Sequence, residues 1–306
     1  MENPDISVVI VSYKVWGYLL PCVKLLFAQQ GINIEIIVVD NNSSDGTVVG
    51  LRNQFPSVMV VENKENKGFS AANNQGIKMA TGNYILLLNP DTEIKEKDAL
   101  LKLKKSIENE NPDGILAPCL LNEDGSFQQS FWNIPGITKL FLELFYLHRK
   151  RNSTKPFMPV FVEGVSGAAM FFKKKLVDEI GLLDEKMFWM EDMDFCYRAA
   201  KAGKKVLYDP TISIIHYGGK SSSNYSVVIP NQVISKIKFY KKHGSWLSFI
   251  IMDKLSFLFI VSRWCVFALL SISGNDIQVK KRKAYAIAFN KFFRYNFRHD
   301  DSIISA

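Results

Sequence analysis

The chain has 306 residues, is 47% hydrophobic and 22% charged, and carries a formal net charge of +8. Such a composition excludes a mostly disordered chain, and the length allows two domains or one large α/β domain with a tail. The charge is uneven: residues 236–306 hold 13 Lys and Arg against 4 Asp and Glu, while residues 1–235 hold 25 against 26. A nucleic-acid binder would need basic residues across a folded face, so that class is set aside. A basic, apolar and aromatic tail points instead to an anionic membrane surface, with an ordinary packing or dimer tail as the alternative.

The first 12 residues, MENPDISVVIVS, lack a basic segment before the apolar run and read as a strand, not a signal peptide. Four runs follow the texture of buried strands: ISVVIVSY (6–13), EIIVVDN (35–41), VMVVEN (58–63) and YILLLNP (84–90). The spacing between them predicts helices over 18–30, 46–54 and 70–81. Alternation of this kind gives βαβ units and a mostly parallel sheet covered on both faces. Ligands of such sheets sit beyond the carboxyl ends of the strands, where this sequence places Ser12, Asp40, Asn63, Asn89 and Asp91.

Residues 116–160 are less regular, with a turn at LNEDGS (121–126) and an apolar-aromatic helix expected over 139–151. A second regular block runs through FVEGVSGAAMFFKK (161–174), FWMEDMDFCYRAAKAG (188–203) and KVLYDPTISIIHYGG (205–219), and 221–225 reads as a polar loop. The stretch 246–272 is apolar but holds Asp253, Lys254 and Arg263. A spanning helix needs about 20 nearly uncharged residues, so an interfacial segment is preferred over a span. Cys22, Cys119, Cys196 and Cys265 are too scattered for a disulfide framework or a CxxC zinc site, and reduced thiols in a cytoplasmic setting are expected.

Five places can carry chemistry. Asp40 opens DNNSSDGT and can accept hydrogen bonds from a nucleotide base or ribose, or it can cap a turn. NKGFSAANNQGI (66–77) offers a glycine and a helix amino terminus to an anion, or it is a simple loop-to-helix junction. Asp91, after LLLNP, can reach a divalent cation on a diphosphate, or the strand merely ends in a proline turn. Glu191, Asp192 and Asp194 suit the dipole of a helix start, yet a carboxylate behind Phe188-Trp189-Met190 can also serve as a general base. Asp194 and Arg198 are spaced i, i+4 and read as a structural pair. His216 ends an apolar strand before two glycines, either as a packed histidine or as a second ligand beside Asp91.

Taken together, VVIVSY, IIVVDNNSSDGT, NKGFSAANNQGI, LLLNPDTE, GVSGAAMFF, FWMEDMDFCYR with AAKAG, and IIHYGGKS resemble the glycosyltransferase family 2 enzymes of GT-A fold, from about Ile6 to Gly219. The set is most similar to the bacterial rhamnosyltransferase branch, in which NPD stands where DxD is usual. The resemblance implies a GT-A domain over 1–235, with a nucleotide-binding half over about 1–115 and an acceptor half over about 116–235. A helical membrane-associating tail would follow over 236–306. It implies that Asp40 binds the donor's pyrimidine, with Ser12, Tyr13, Lys67, Gly68, Asn73 and Asn89 around the nucleotide. Asp91 and His216 would hold Mg2+ or Mn2+, Asp192 would be the catalytic base, and Gly167, Trp189 and Glu191 would shape the acceptor side. The implied reaction is inverting transfer of a sugar, L-rhamnose from dTDP-rhamnose first, from a dTDP- or UDP-sugar to a saccharide acceptor. The tail, by holding such an enzyme at the cytoplasmic face of the inner membrane, points to a polyprenyl-diphosphate-linked acceptor, as in bacterial surface polysaccharide (O-antigen or capsule) synthesis. The alternatives are a nucleotidyltransferase making a nucleotide sugar and a non-catalytic sugar- or nucleotide-binding module.

Overall fold

The structure is a computed structural model that describes residues 3–111, 113–134, 136–144, 154–218 and 224–298. The chain forms two compact units. The first comprises Met1–Asn133, Ser153–Glu185 and Glu191–Ser221; the second comprises Ile134–Asn152, Lys186–Met190 and Ser222–Ala306.

The chain begins β1 (Ile6–Ser12), α1 (Trp16–Phe27), β2 (Ile34–Asp40), α2 (Thr47–Gln54), β3 (Met59–Glu62), α3 (Phe69–Met79) and β4 (Tyr84–Leu88). It continues with β5 (Thr92–Glu93), α4 (Ala99–Glu110), β6 (Ile115–Leu121), β7 (Phe127–Gln128), β8 (Phe131–Trp132), α5 (Ile137–Leu144), β9 (Val160–Val162), β10 (Gly164–Val165) and β11 (Ala169–Lys173). Then come α6 (Leu176–Ile180), α7 (Glu191–Lys201), β12 (Val206–His216), α8 (Tyr225–His243), α9 (Trp246–Leu270), a 3-10 turn (Ser271–Ser273) and α10 (Asp276–Arg298). The helix expected over 139–151 is α5 as far as Leu144, and its remainder lies outside the described residues. Of the expected loop 221–225, residues 221–223 also lie outside them, and Tyr225 opens α8.

The large sheet of the first unit has the order β3-β2-β1-β4-β11-β6-β12-β5, with β7 beside β6 and β9 beside β12. The expected mostly parallel sheet is corrected to a mixed one. The pairs β2–β3, β1–β2, β1–β4 and β6–β12 are parallel, whereas β11 runs antiparallel between β4 and β6. The apolar run AMFFK carries no signal of direction, because a strand buried on both faces looks alike in either orientation.

Side chains alternate across the strands and split the core into two layers. Val8, Ile10, Val38 and Leu86 pack with Leu19, Val23 and Leu26 of α1 and Leu100 and Leu103 of α4. Val9, Ile37, Val39 and Leu87 pack on the other face with Ala72 and Ile77 of α3 and Phe195 and Ala199 of α7. Gly76 of α3 lies so close to the sheet that a Cβ there would come within 2.3 Å of Val9 Cγ1. The second unit has its own core, in which Ile234 and Ile237 of α8, Ile260 of α9 and Ala288 and Phe292 of α10 meet.

Candidate active site

Strand direction decides what gathers at the edge. Parallel β1, β2 and β4 all present their carboxyl ends there, and so does β12, which is parallel to β6. Antiparallel β11 brings its amino end, with Gly167 and Ala168 before it, to the same edge, since Ala169 pairs with Leu88. Ser12, Asp40, Asn89, Gly167 and His216 therefore converge from segments more than 200 residues apart in sequence.

Ser12 and Asp40 are register partners at the ends of β1 and β2, and both are buried. Asp40 Oδ2 accepts a hydrogen bond from Ser43 N–H at 3.0 Å. Asp40 Oδ1, Ser12 Oγ and Ser70 Oγ have no partner among the described residues. A buried polar atom without a partner is costly, and a ligand can satisfy it. Around them the loops are tied by side chains. Ser43 Oγ accepts from Lys14 N–H at 3.0 Å, and Asn41 Nδ2 donates to Gly68 O at 3.2 Å. Lys14 Nζ lies 5.1 Å from the ring centre of half-buried Tyr13. Gly68 holds φ +82°, which a side chain would strain, and leads directly into α3. Lys67 is exposed in that loop. Asn73 is buried, but its amide donates to Phe69 O at 2.9 Å within α3.

The second cluster is Asp91, His216 and Asn89. His216 Nε2 lies 3.4 Å from Asp91 Oδ1 and 3.2 Å from Asn89 Nδ2. Sequence reasoning missed a fourth member, Gln128, because a glutamine after a polar turn carries no pattern of its own. Gln128 Nε2 donates to the His216 carbonyl at 3.0 Å, and Gln128 Oε1 lies 2.6 Å from His216 Nδ1. A carbonyl only accepts, so the NH2 end of the amide must face it and the oxygen must face the ring. Neutral His216 thus carries its proton on Nδ1, and the Nε2 lone pair, beside Asp91, accepts from Asn89 Nδ2. This is how an outer partner orients a ligating histidine. Tyr217 N–H donates to Asp91 O at 3.0 Å and fixes the loop to β12.

The donor set fits a divalent cation. An oxygen and an imidazole nitrogen 3.4 Å apart have about the spacing of neighbouring ligands on one octahedral ion. Among the described residues no group of three or more His, Cys, Asp or Glu gathers for a metal. Further ligands would come from phosphate oxygens and water.

Asp192 is the second residue of α7. Its Oδ2 accepts from Gly167 N–H at 3.1 Å, and its Oδ1 from Met193 N–H at 2.7 Å. Burial pushes its carboxyl up to about 6, against the opposing pull of the Gly167 and Met193 N–H groups. From Gly167 the connection continues: Asn89 N–H donates to Ala168 O at 2.9 Å, and the Asn89 side chain meets His216. A continuous hydrogen-bonded path therefore joins Asp192 to the Asp91–His216 pair. Gly167 also has no room to spare, because a Cβ there would lie 3.2 Å from Phe69 and 3.6 Å from Asp192 Cβ. Asp194 is fully buried and paired with Arg198 at 2.8 Å, as its spacing suggests, and it takes no place at the edge. Glu191 opens α7 half-buried. Trp189 precedes α7 at φ +76° in the segment Lys186–Met190, which belongs to the second unit.

Comparison with known proteins decides the family. The model of "Glycosyl transferase family 2" matches residues 7–181. The chain belongs to this family. The glycosyltransferase is 24% identical over 245 residues to an N-acetylglucosaminyl-diphospho-decaprenol L-rhamnosyltransferase of Mycobacterium tuberculosis, a match covering 71% of this chain and 77% of that one. It is 34% identical over 114 residues to glycosyltransferase GlyG of Streptococcus pneumoniae, covering 36% of this chain and 38% of that one. Among solved structures it is similar to a mannosyltransferase of Pyrobaculum calidifontis in complex with GDP-Man and Mn2+. That likeness has TM-score 0.57 and 14% identity, and covers 98% of this chain and 89% of that one. It bears on the fold, and the fold is GT-A-like α/β.

Proposed function

We propose that this glycosyltransferase moves a sugar, with inversion, from a nucleoside-diphosphate donor to a lipid-linked saccharide. L-rhamnose from dTDP-rhamnose is the first donor to test. The observation that carries the reading is the path from Asp192 through Gly167, Ala168 and Asn89 to His216 and Asp91. It links the Asp192 carboxyl, raised by burial, to Asp91 and His216, which supports reading them as base and cation ligands, and unpartnered Asp40 Oδ1 and Ser12 Oγ at the same sheet edge support a nucleotide there.

In this mechanism Asp40 accepts a hydrogen bond from the base or ribose, and the Gly68 loop leads the chain past the phosphates. Asp192 takes the proton of an acceptor hydroxyl. The hydroxyl oxygen attacks the anomeric carbon from the face opposite the diphosphate, a glycosidic bond forms, and the bond to the phosphate oxygen breaks. A carboxylate near 6 is mostly ionised at neutral pH yet more basic than an ordinary one, which suits a general base. Asp91 and His216 would hold Mg2+ or Mn2+, which when bound offsets the charge of the departing diphosphate. The name of the mycobacterial relative makes N-acetylglucosaminyl-diphosphopolyprenol the acceptor to try first. The test is release of nucleoside diphosphate that depends on the acceptor, across a panel of dTDP- and UDP-sugars. Release at the same rate without acceptor rejects the reading.

A membrane role for the tail belongs to the same proposal and rests on the polarity of α9. Asp253, Ser256 and Arg263 are buried, and Asp253 accepts from Asn296 of α10 at 2.8 Å. Leu258, Trp264, Leu269 and Leu270 are exposed, Leu269 by 69%. Asp253, Ser256 and Arg263 share the buried side of α9 with Met252 and Ile260, and the exposed side is mostly apolar, with Lys280, Lys281, Arg282 and Lys283 close behind in α10. No helix among the described residues is long and apolar enough to cross a membrane. The reading is therefore an interfacial contact with an anionic leaflet, placing the enzyme at the cytoplasmic face of the inner membrane. Changing Leu258 and Leu269 together to Asp should cut partition onto anionic vesicles by about tenfold or more. Unchanged partition rejects the contact.

A further inference from the structure

We propose that Ser235 and Lys238 of α8 are positioning residues for the acceptor, acting through Trp189. The inference rests on the sugar-transfer reading above and concerns how the helical unit serves it.

Trp189 sits at φ +76°, in the left-handed region that a bulky side chain enters only under constraint. Such strain persists only where neighbours over-determine the conformation. The neighbours here are in the same unit. Ser235 is fully buried, and its hydroxyl grips both backbone groups of Phe188: Oγ–H donates to Phe188 O at 2.5 Å, and Phe188 N–H donates back to Oγ at 3.3 Å. One helical turn later, Lys238 Nζ donates to Lys186 O at 3.1 Å, with the ammonium 5.7 Å from the ring centre of Tyr295. Residues three apart share a helix face, so the two side chains form one clamp on the strand of backbone entering the turn. Met187 and Met190 are buried on either side, whereas Trp189 stays 37% exposed.

A buried clamp spent on holding one strained, exposed indole makes sense if that indole has a job outside the protein. An exposed indole offers a flat apolar face of the kind on which a sugar ring packs. Three residues further along the chain is Asp192. The clamp fixes an indole that neighbours the proposed base in sequence, so the substrate concerned is the saccharide acceptor and not the nucleotide donor.

The experiment uses the full chain with dTDP-rhamnose and N-acetylglucosaminyl-diphosphopolyprenol, or whichever donor and acceptor the panel above yields. In Ser235→Ala, amide hydrogen exchange over 186–190 should quicken by about tenfold or more, without change elsewhere in the core. The acceptor KM should rise about tenfold, with the dissociation constant for the nucleoside diphosphate unchanged. Ser235→Thr, which keeps the hydroxyl, should restore both. Lys238→Met keeps the stem but loses the bond to Lys186 O, should move the same quantities in the same direction, and serves if Ser235→Ala does not fold. A folded variant with faster exchange and an unchanged acceptor KM overturns the inference and leaves sugar transfer standing. So does a donor dissociation constant that shifts as much as the acceptor KM. Failure of the wild-type chain to transfer any sugar removes the acceptor reading of Trp189, a result the exchange data keep distinct from failure of the clamp.

Discussion

The two sides of the active edge are built in different ways. On the proposed nucleotide side Ser12, Asp40, Asn41, Ser43 and Gly68 come from one stretch of consecutive βαβ units, and strand register alone sets Ser12 beside Asp40. On the proposed chemistry side Asp91, Gln128, Gly167, Asp192 and His216 come from five separate segments, tied by side-chain hydrogen bonds at Gln128 and Asp192 and by the backbone bond from Tyr217 N–H to Asp91 O. A site made by register tolerates the loss of one side chain, because the sheet keeps its shape. A site made by a path of bonds transmits each loss to the next member.

The largest effect should come from the end of that path. Asp192→Asn removes the proposed base and should lower kcat by about 10²–10⁴, with donor binding intact. In the wild-type enzyme the acid limb of the kcat/KM profile should fall with an apparent pKa near 6, the value to which burial raises this carboxyl. Steady-state rates between pH 5 and 8 check both, and an Asn variant of full activity would remove the base assignment. The nucleotide side should respond through binding instead. Asp40→Asn leaves an oxygen for Ser43 N–H but turns an NH2 toward the ligand. Loss of a hydrogen bond to a charged acceptor is worth about 1.5–3 kcal/mol, so donor affinity should fall roughly 10- to 100-fold with kcat little changed. Calorimetric titration with the nucleoside diphosphate reads this directly. A matching collapse of kcat would blur the contrast between the two sides.

Gln128 sharpens the contrast, because it touches no substrate in the proposed mechanism. Gln128→Leu frees the His216 ring to rotate and to carry its proton on Nε2. Outer partners of this kind typically matter by 10- to 100-fold, so the concentration of Mn2+ or Mg2+ needed for half activity should rise by about that factor. Turnover at saturating cation should recover. A variant whose deficit no cation concentration relieves would mean that Gln128 holds the fold of the edge and not the ring.

The same division explains what was legible in the sequence. β1 to β4 and their helices follow local patterns, and with them Asp40 and the loop at Gly68. Asp91, Asp192 and His216 stood out because each polar residue ends or follows an apolar run. Gln128 did not, since its role exists only once β7 lies beside β6 and its side chain reaches the end of β12. The reversed direction of β11 was hidden for a related reason: its buried residues look the same read either way. In α9, Asp253 and Arg263 argue against a spanning helix in the linear sequence. In three dimensions both are buried, beside Met252 and Ile260. The attachment of 186–190 to α8 rests on Ser235 and Lys238, two ordinary helix residues that no spacing rule singles out.

The smallest effect tests whether burial, and not a bond, sets the base. The Asp192 carboxyl is raised from 3.8 to about 6 in the folded protein, while in the unfolded chain it titrates near its ordinary value. Folding therefore takes up a proton between those two values. The stability linked to this group is fully present below about pH 4 and is lost as pH rises through about 6. A shift of some two units corresponds to at most about 3 kcal/mol, and partial solvent access lowers the effect to about 1–2 kcal/mol. Asp192→Asn has no such titration. It does carry a constant cost, because its NH2 cannot accept from both Gly167 and Met193 N–H. Absolute stabilities would mix the two contributions, whereas their pH dependence separates them. Measured by urea unfolding, the variant should gain about 1–2 kcal/mol relative to wild type on going from pH 4.0 to pH 7.5. A constant difference across that range would mean that the N–H groups cancel the burial, and that the carboxyl enters the reaction as an ordinary acid.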